Sequence, residues 1–315
     1  MRILVTGGAG FIGSHLCRRL LNKGNFIICV DNFITGHEDN IKDLLNQAKF
    51  KLITHDISQP LYVDEHLDWV MHFASPASPK DYLEHPIKTL KVGTLGTYNC
   101  LGIAKKQNIR FFLASTSEIY GDPLIHPQPE EYFGNVNSIG PRSCYDEAKR
   151  AAEALTFAYQ RQHNIDIKVA RIFNTYGQFM HMDDGRVVSN LIYQALTNQD
   201  LTIYGDGSQT RSFCYVDDLI EGIIKYMEID YSGPLNLGNP EELAIIELAK
   251  KILDLTKSKS KIKFSSLLQD DPKRRQPDIS KARKLLNWQP KTSLTDGLGM
   301  TIPWFAQRIK DKTND

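Results

Sequence analysis

The first thirty residues place a strand, a glycine-rich turn and a helix in immediate succession, and few folds accommodate that order. Arg2 to Thr6 is a short apolar run. Phe11 to Lys23 carries apolar residues at helical spacing up to Gly24, and Phe26 to Val30 is a second apolar run stopping at Asp31. Gly7, Gly10 and Gly13 occupy the turn and the start of the helix. Small residues there let a backbone approach a pyrophosphate, and the helix N-terminus offers unpaired N–H groups and a positive dipole end. A tight strand-to-helix turn without a ligand is the alternative reading.

The alternation continues with strands at Lys51 to Ile53, Trp69 to Phe73, Arg110 to Ala114 and Ile167 to Ile172, and helices near Pro86 to Lys106 and Tyr145 to Gln162. Buried apolar strands alternating with helices predict an α/β fold with a doubly wound parallel sheet. Beyond about residue 175 the elements shorten. Gly and Pro punctuate at Gly177, Gly205, Gly207, Gly233, Pro240, Pro272, Pro277 and Pro290, which predicts a smaller C-terminal lobe. The expected division is a cofactor domain over 1–175 and a substrate lobe over 176–315, with some chain crossing back. The polar tail from Lys310 to Asp315 is expected to fray.

Bulk properties narrow the function. The 315 residues are 41% hydrophobic, enough for a large core, and 38 basic against 37 acidic residues leave a charge of +1, no footprint for nucleic acid or an anionic membrane. No apolar stretch approaches the roughly 20 residues that span a bilayer. The glycine turn arrives by Gly7, leaving no room for a signal peptide, so a cytoplasmic protein is expected. Cys17, Cys29, Cys100, Cys144 and Cys214 are odd in number and well separated, which predicts buried free thiols rather than disulfides or a metal site.

Three further features carry chemistry. Asp31, at the end of the second strand, can accept hydrogen bonds from both hydroxyls of an adenosine ribose and would repel a 2′-phosphate. With no Arg in Asn32 to Gly36, that favours NAD over NADP. Asp56-Ile57 after the third strand suits an adenine edge. Tyr145 and Lys149 are four apart on a helix face, and of 13 tyrosines only Tyr145 has Lys at that spacing. A lysine cation lowers the pKa of a nearby phenol and makes it a base for hydride transfer from an alcohol. Ser115-Thr116-Ser117-Glu118 follows the strand ending at Ala114, at the carboxyl edge where parallel sheets bind ligands. A helix cap or turn is the plainer reading of that run.

With these residues in place the sequence resembles the extended short-chain dehydrogenase/reductases that act on nucleotide sugars, and within them the UDP-glucuronate decarboxylases, or UDP-xylose synthases. The resemblance runs almost end to end. It is carried by Gly7 to Gly13 (GGAGFIG), Asp31-Asn32-Phe33, His72 to Pro79 (HFASPASP), Pro86 to Leu90 (PIKTL) and Ser115 to Asp122 (STSEIYGD). Ser143 to Arg150 (SCYDEAKR), Arg171 to Gly177 (RIFNTYG), Asp184 to Asn190 (DGRVVSN), Gln209 to Val216 (QTRSFCYV) and Gln276 to Ile279 (QPDI) extend it.

The resemblance implies a Rossmann domain with a nucleotide-sugar lobe, NAD as cofactor and a UDP-sugar as substrate. NAD would be held by Gly7, Gly10, Phe11, Ile12 and Gly13, by Asp31, Asn32, Phe33 and Thr35, and by Asp56 and Ile57. Phe73, Ala74 and Ser75 would complete its surroundings, and Thr175, His181 and Arg186 would face the cofactor or the substrate channel, Arg186 being a candidate for both. Thr116, Tyr145 and Lys149 would form the dehydrogenase triad, with Tyr145 taking the proton from the sugar 4-hydroxyl. Ser117 and Glu118 would handle the proton and carboxylate at C5 and C6. Asn174 would hold the diphosphate, Tyr204, Gln209 and Arg211 would frame the uridine, and Arg275 would reach the diphosphate or the carboxylate. Lys91 and Val187 are further substrate candidates. Plainer readings stand beside these: His181 as a loop histidine, Tyr204 as a core aromatic, Lys273-Arg274-Arg275 as a solvated charge run.

The implied reaction explains a redox cofactor that is not consumed. Oxidation at C4 places a ketone β to the C6 carboxylate, carbon dioxide leaves as an enolate forms, and re-reduction gives UDP-xylose. A related subgroup releases the 4-keto pentose instead. A dTDP-glucose 4,6-dehydratase would place an Asp-Glu pair after the threonine, where this chain has Ser117-Glu118, and an unperturbed serine is a poor acid for expelling hydroxide. A 4-epimerase needs no carboxylate there. The non-enzymatic alternative is an NAD-binding sensor or scaffold. The helices Pro86 to Lys106 and Tyr145 to Gln162 would by resemblance form a homodimer interface, which their apolar Leu90, Leu95, Ala151, Leu155 and Phe157 suit; packing of the same residues inward on the sheet is the alternative.

Overall fold

Residue patterning turns into layers around a parallel sheet. The computed structural model describes residues 1–183, 185–266 and 274–314, with the side chains of 312–314 left aside. Asp184, Pro272, Lys273 and Asp315, each named above, lie outside the described residues. Strands β1 (Arg2–Thr6), β2 (Phe26–Asp31), β3 (Phe50–Thr54), β4 (Trp69–His72), β5 (Arg110–Thr116) and β6 (Ile167–Ile172) lie parallel in the order β6-β5-β4-β1-β2-β3. A seventh strand, Pro234–Leu237, returns from the second half of the chain and pairs parallel with β6. The strand order reverses between β1 and β4, the point at which such sheets bind ligands beyond their carboxyl ends.

Both faces of the sheet are covered, which is why its strands read as unbroken apolar runs. Ile3, Val5, Ile27 and Cys29 face one core cluster, while Leu4, Ile28, Val30 and Val70 face the other. All five cysteines are buried free thiols. Helix α1 (Phe11–Asn22) packs by Leu16, Cys17 and Leu20, with Arg19 and Asn22 exposed on its other side.

Four boundaries differ from expectation. Strand β5 runs through Thr116 rather than ending at Ala114, because Ser115 and Thr116 pair with Arg171 and Ile172 of β6. The helix expected from Tyr145 starts at Ser143 and runs to His163. The helical stretch from Pro86 to Gln107 is interrupted by a π-helical turn at Val92–Gly96. There Gly93 packs on Ala148, where an added Cβ would stand 2.6 Å from the Ala148 Cβ, so the two helices approach at that point. The expected frayed tail is a helix, Leu294–Asn314, anchored through buried Leu298, Ile302 and Phe305.

The C-terminal half contributes short sheets. Thr210–Ser212 lies between Glu242–Ala244 and Arg274–Arg275, and Leu201–Tyr204 pairs with Ile262–Ser265. No described helix is long and apolar enough to cross a membrane.

Candidate active site

The carboxyl ends of β1, β2, β4 and β5 open into one cleft, closed on its other side by the C-terminal half. Gly7, Gly10, Phe11, Ile12 and Gly13 form its floor. Gly7 has φ +70°, and a Cβ there would stand 2.6 Å from the Ala74 nitrogen, so only glycine fits between β1 and the segment after β4. A Cβ at Gly13 would collide with the Gly7 carbonyl oxygen. This is the close helix-to-strand packing that a dinucleotide pyrophosphate requires. Asp31 accepts from the Ala9 N–H at 2.9 Å and the Phe33 N–H at 2.9 Å, and each oxygen keeps a lone pair for a ribose hydroxyl. Burial raises its pKa, and those backbone donors counter the rise. The residues present therefore fit a dinucleotide.

Asn32, Thr35, Ile57, Phe73, Ala74 and Ser75 also line the cleft. Thr175, His181, Arg186 and Val187 reach it from the C-terminal half, as do Asn174, Tyr204, Gln209 and Arg211. The Gln209 amide holds the Tyr204 carbonyl at 2.6 Å, which couples two residues expected to act together.

Three expected residues do not line it. Phe33 packs its ring against the hydrophobic core and contributes only its backbone N–H to Asp31. Asp56 accepts from the Ser58 N–H and hydroxyl at 3.0 and 2.8 Å and is ion-paired with Lys88, so its carboxylate is already engaged. Lys91 is exposed, and the lysine of that helix that lines the cleft is Lys88, one turn earlier.

The three residues expected to form a triad come together. Thr116, Tyr145 and Lys149 are buried and face the cleft together. The Thr116 hydroxyl is hydrogen-bonded to the Tyr145 phenol and also accepts from the Glu118 N–H at 3.3 Å, so the run does form a cap. Lys149 donates to the Ala114 carbonyl at 2.9 Å, with its ammonium 5.8 Å from the Tyr145 ring centre. The expected lowering of the tyrosine pKa by this lysine is not what the protein alone produces. Burial pushes Tyr145 up to about 12, only partly offset by Thr116, and pushes Lys149 down to about 8, because removal from water penalises both charged forms.

Beyond Thr116 the chain turns, and Ser117 and Glu118 enter a buried ionic cluster. Arg275 donates to the Ser117 hydroxyl at 3.1 Å and to the Gly121 carbonyl at 2.8 Å, and it pairs with one Glu118 oxygen. Arg142 pairs with the other. Burial by itself would raise the Glu118 pKa, but Arg275, Arg142 and Arg211 outweigh it and hold the group at about 2. Arg275 belongs to a built site rather than a solvated run: it is buried, and its strand pairs it with Arg211.

Sequence reasoning missed Arg142, Tyr82, Lys88 and Arg308. Arg142 stands three residues before Tyr145, a spacing that could have drawn attention to it. Tyr82 stacks on Tyr145 at 5.3 Å between centroids, a contact across 63 residues with no local signal. Arg308 is brought to the cleft by the last helix and paired with Asp39 at 2.7 Å.

Asp146, beside Tyr145, is buried with one oxygen lacking a protein partner. Burial raises its pKa to about 7, and the Glu118 charge adds to the rise. A carboxyl whose folded pKa lies above its unfolded value contributes stability that is fully present below about pH 4 and lost as pH rises through about 7. Asp146→Asn is therefore predicted to melt above the parent at about pH 8, the difference closing toward pH 5 in thermal denaturation.

Comparison with known proteins agrees with this geometry. Residues 3–238 match the model of the NAD dependent epimerase/dehydratase family. The chain belongs to that family. Curated relatives include UDP-glucuronic acid decarboxylase 1 of Danio rerio, 52% identical over 314 residues, covering all of this chain and 75% of the relative. UDP-glucuronic acid decarboxylase 6 of Arabidopsis thaliana is 53% identical over 310 residues, covering 98% of this chain and 90% of the relative. Among solved structures, the UDP-glucuronic acid 4-epimerase of Bacillus cereus with UDP-glucuronic acid and NAD is 30% identical, with a TM-score of 0.88, covering 98% of this chain and all of that one. Membership makes the cofactor NAD.

Proposed function

We propose that this protein is an NAD-dependent UDP-glucuronate decarboxylase that forms UDP-xylose. The observation that carries the reading is the state of Glu118. A dehydratase needs an acid to expel hydroxide from C6, yet Glu118 is held ionised by two arginines and the Ser117 hydroxyl accepts from Arg275. The C6 carboxylate leaves C5 as carbon dioxide, a departure that needs no acid. Full-length relatives at about 52% identity carry the decarboxylase name.

Tyr145 removes the proton of the sugar 4-hydroxyl, and Thr116, hydrogen-bonded to it, orients the phenol. When bound, NAD would supply the acceptor and later the donor of the C4 hydride, together with a positive charge that favours the Tyr145 phenolate. With C4 a ketone, the C5–C6 bond breaks and its electron pair moves into the C4 carbonyl as an enolate. The Tyr145 hydroxyl, now carrying the proton, is placed to meet the developing charge on that oxygen. A proton taken up from solvent then adds to C5 in place of the carboxylate, and the proton on Tyr145 goes back to the 4-oxygen when C4 is re-reduced. Asn174 on the diphosphate and Tyr204, Gln209 and Arg211 around the uridine are part of this proposal, supported by their place in the cleft.

Incubation with UDP-glucuronate and, separately, dTDP-glucose, followed by mass spectrometry, tests the reading. Loss of about 44 mass units from the first is expected, with a product at the mass of UDP-xylose. Loss of about 18 from the second with the first unchanged would refute it. UDP-glucuronate of unchanged mass but altered retention would identify a 4-epimerase.

The proposal includes a homodimer and a cytoplasmic location. Ile87, Leu90, Leu95 and Tyr98 leave large apolar surface exposed on the helical stretch Pro86 to Gln107, whereas Leu155 and Phe157 pack partly on the core. Five buried thiols without a disulfide suit a reducing compartment.

A further inference from the structure

The turn from Gly7 to Gly13 fits a dinucleotide pyrophosphate, a group with negative charge on both phosphates, yet the turn itself supplies no cation. No Lys or Arg occurs from Gly7 to His15. Arg18, the first on the helix, is paired with Asp43 and lies over the ring of Phe179, 4.2 Å from its centre. The helix N-terminus offers N–H groups and only a partial charge. A full positive charge comes instead from the far end of the chain, where Arg308 of the helix Leu294–Asn314 lines the cleft.

Two lines of contact tie Arg308 to the glycine turn. In the first, its Nη2 donates to Asp39 at 2.7 Å, and the segment around Asp39 is bound to the turn. The Asn40 side-chain amide donates to the Ala9 carbonyl at 3.0 Å, and the His37 N–H donates to the same oxygen at 3.1 Å. The second line is a row of rings, Phe11, His15, Phe179 and Trp304, with successive centroids 5.8, 5.1 and 5.5 Å apart. Arg308 lies 5.8 Å from the centre of the Trp304 ring. Phe179 takes part with φ +64°, a left-handed conformation unfavourable for a residue with a side chain, its ring held between Arg18 and Trp304. Phe11, Phe179, Trp304 and Arg308 all line the cleft.

We infer that Arg308 is a cofactor-binding residue: its guanidinium, aimed by Asp39, binds the pyrophosphate of NAD, so that the last helix closes the glycine-turn end of the cleft and slows release of the cofactor. Asp39 fixes the planar group through Nη2 and leaves Nε and Nη1 as donors for phosphate oxygens. Retention suits a reaction in which the hydride goes out to the cofactor and comes back, because NADH lost midway would strand the oxidised sugar. The inference does not depend on which nucleotide sugar the enzyme takes.

The test measures release of the cofactor from the intact protein. NADH-loaded parent, Arg308→Met and Asp39→Asn are mixed with excess NAD, and the loss of bound NADH fluorescence gives the dissociation rate. Competition against NADH gives binding constants for ADP-ribose, which carries the pyrophosphate, and for adenosine, which does not. The Arg308 side chain is 28% exposed, which sets its hydrogen bond to a phosphate at the lower end for charged groups, about tenfold. Arg308→Met is therefore expected to release NADH about tenfold faster and to bind ADP-ribose about tenfold more weakly, with adenosine within about twofold. Asp39→Asn keeps the guanidinium and removes an anion, so its release should exceed the parent's by no more than about twofold. An unchanged rate in Arg308→Met, or parallel weakening of ADP-ribose and adenosine, overturns the inference. Equal acceleration in Arg308→Met and Asp39→Asn also overturns it, since the ion pair would then act only as a strut for the helix. Should Arg308→Met fail to fold, Arg308→Gln takes its place under the same criteria.

Discussion

Tyr145→Phe is expected to lower kcat on UDP-glucuronate by about 10²- to 10⁴-fold while leaving NAD bound, because it removes the one hydroxyl placed to take the C4 proton. The ring stays buried and stacked on Tyr82, and Lys149 keeps its bond to the Ala114 carbonyl. The scaffold of the cleft is therefore retained. Turnover, the NAD content of the purified variant and the NADH absorbance after mixing with substrate are the measurements. Near-normal turnover would remove Tyr145 from its role. Loss of NAD along with activity would point to a collapsed cleft rather than a missing base.

Glu118→Gln is the second large effect. The side chain keeps its shape but loses its charge, leaving Arg142 and Arg275 facing each other in a buried site. Breaking a buried ion pair by removing one partner costs about 3–5 kcal/mol, so a lower melting temperature is expected without substrate. The sign with pH follows from a folded pKa of about 2, below the usual value near 4.5. The stability that Glu118 contributes is present above about pH 4.5 and is lost as pH falls toward 2, so parent and variant should converge in acid. In catalysis the variant should slow the steps after oxidation more than oxidation itself, so NADH should accumulate as a burst on mixing with UDP-glucuronate. A variant as stable as the parent at neutral pH, with no burst, would contradict the assignment.

Much of the cofactor half was legible because its signals are local. A strand, a glycine turn and a helix lie within about twenty residues, and Gly7 and Gly13 are glycines for reasons of backbone geometry that the order of elements already implies. Tyr145 and Lys149 share a helix turn, so their spacing reveals them. Failures came where a side chain had a choice of partners. Asp56 ends up holding Ser58 and Lys88, and Phe33 turns its ring into the core, although both stand in suitable places in the chain.

The sequence by itself determined the fold class, the glycine turn, the shared helix face of Tyr145 and Lys149 and, through its resemblance, the reaction, because each depends on periodicity or on residues close together in the chain. The tertiary structure decided the electrostatics. Arg275 lies 157 residues beyond Glu118, and only the pairing of its strand with Thr210–Ser212 brings it there, opposite Arg142. Burial then sets the charges: it holds Tyr145 and Lys149 toward their neutral forms, while the converging arginines keep Glu118 ionised. Desolvation and the sum of Coulomb interactions depend on everything within a few ångströms, whatever its place in the chain, and no local pattern encodes that neighbourhood.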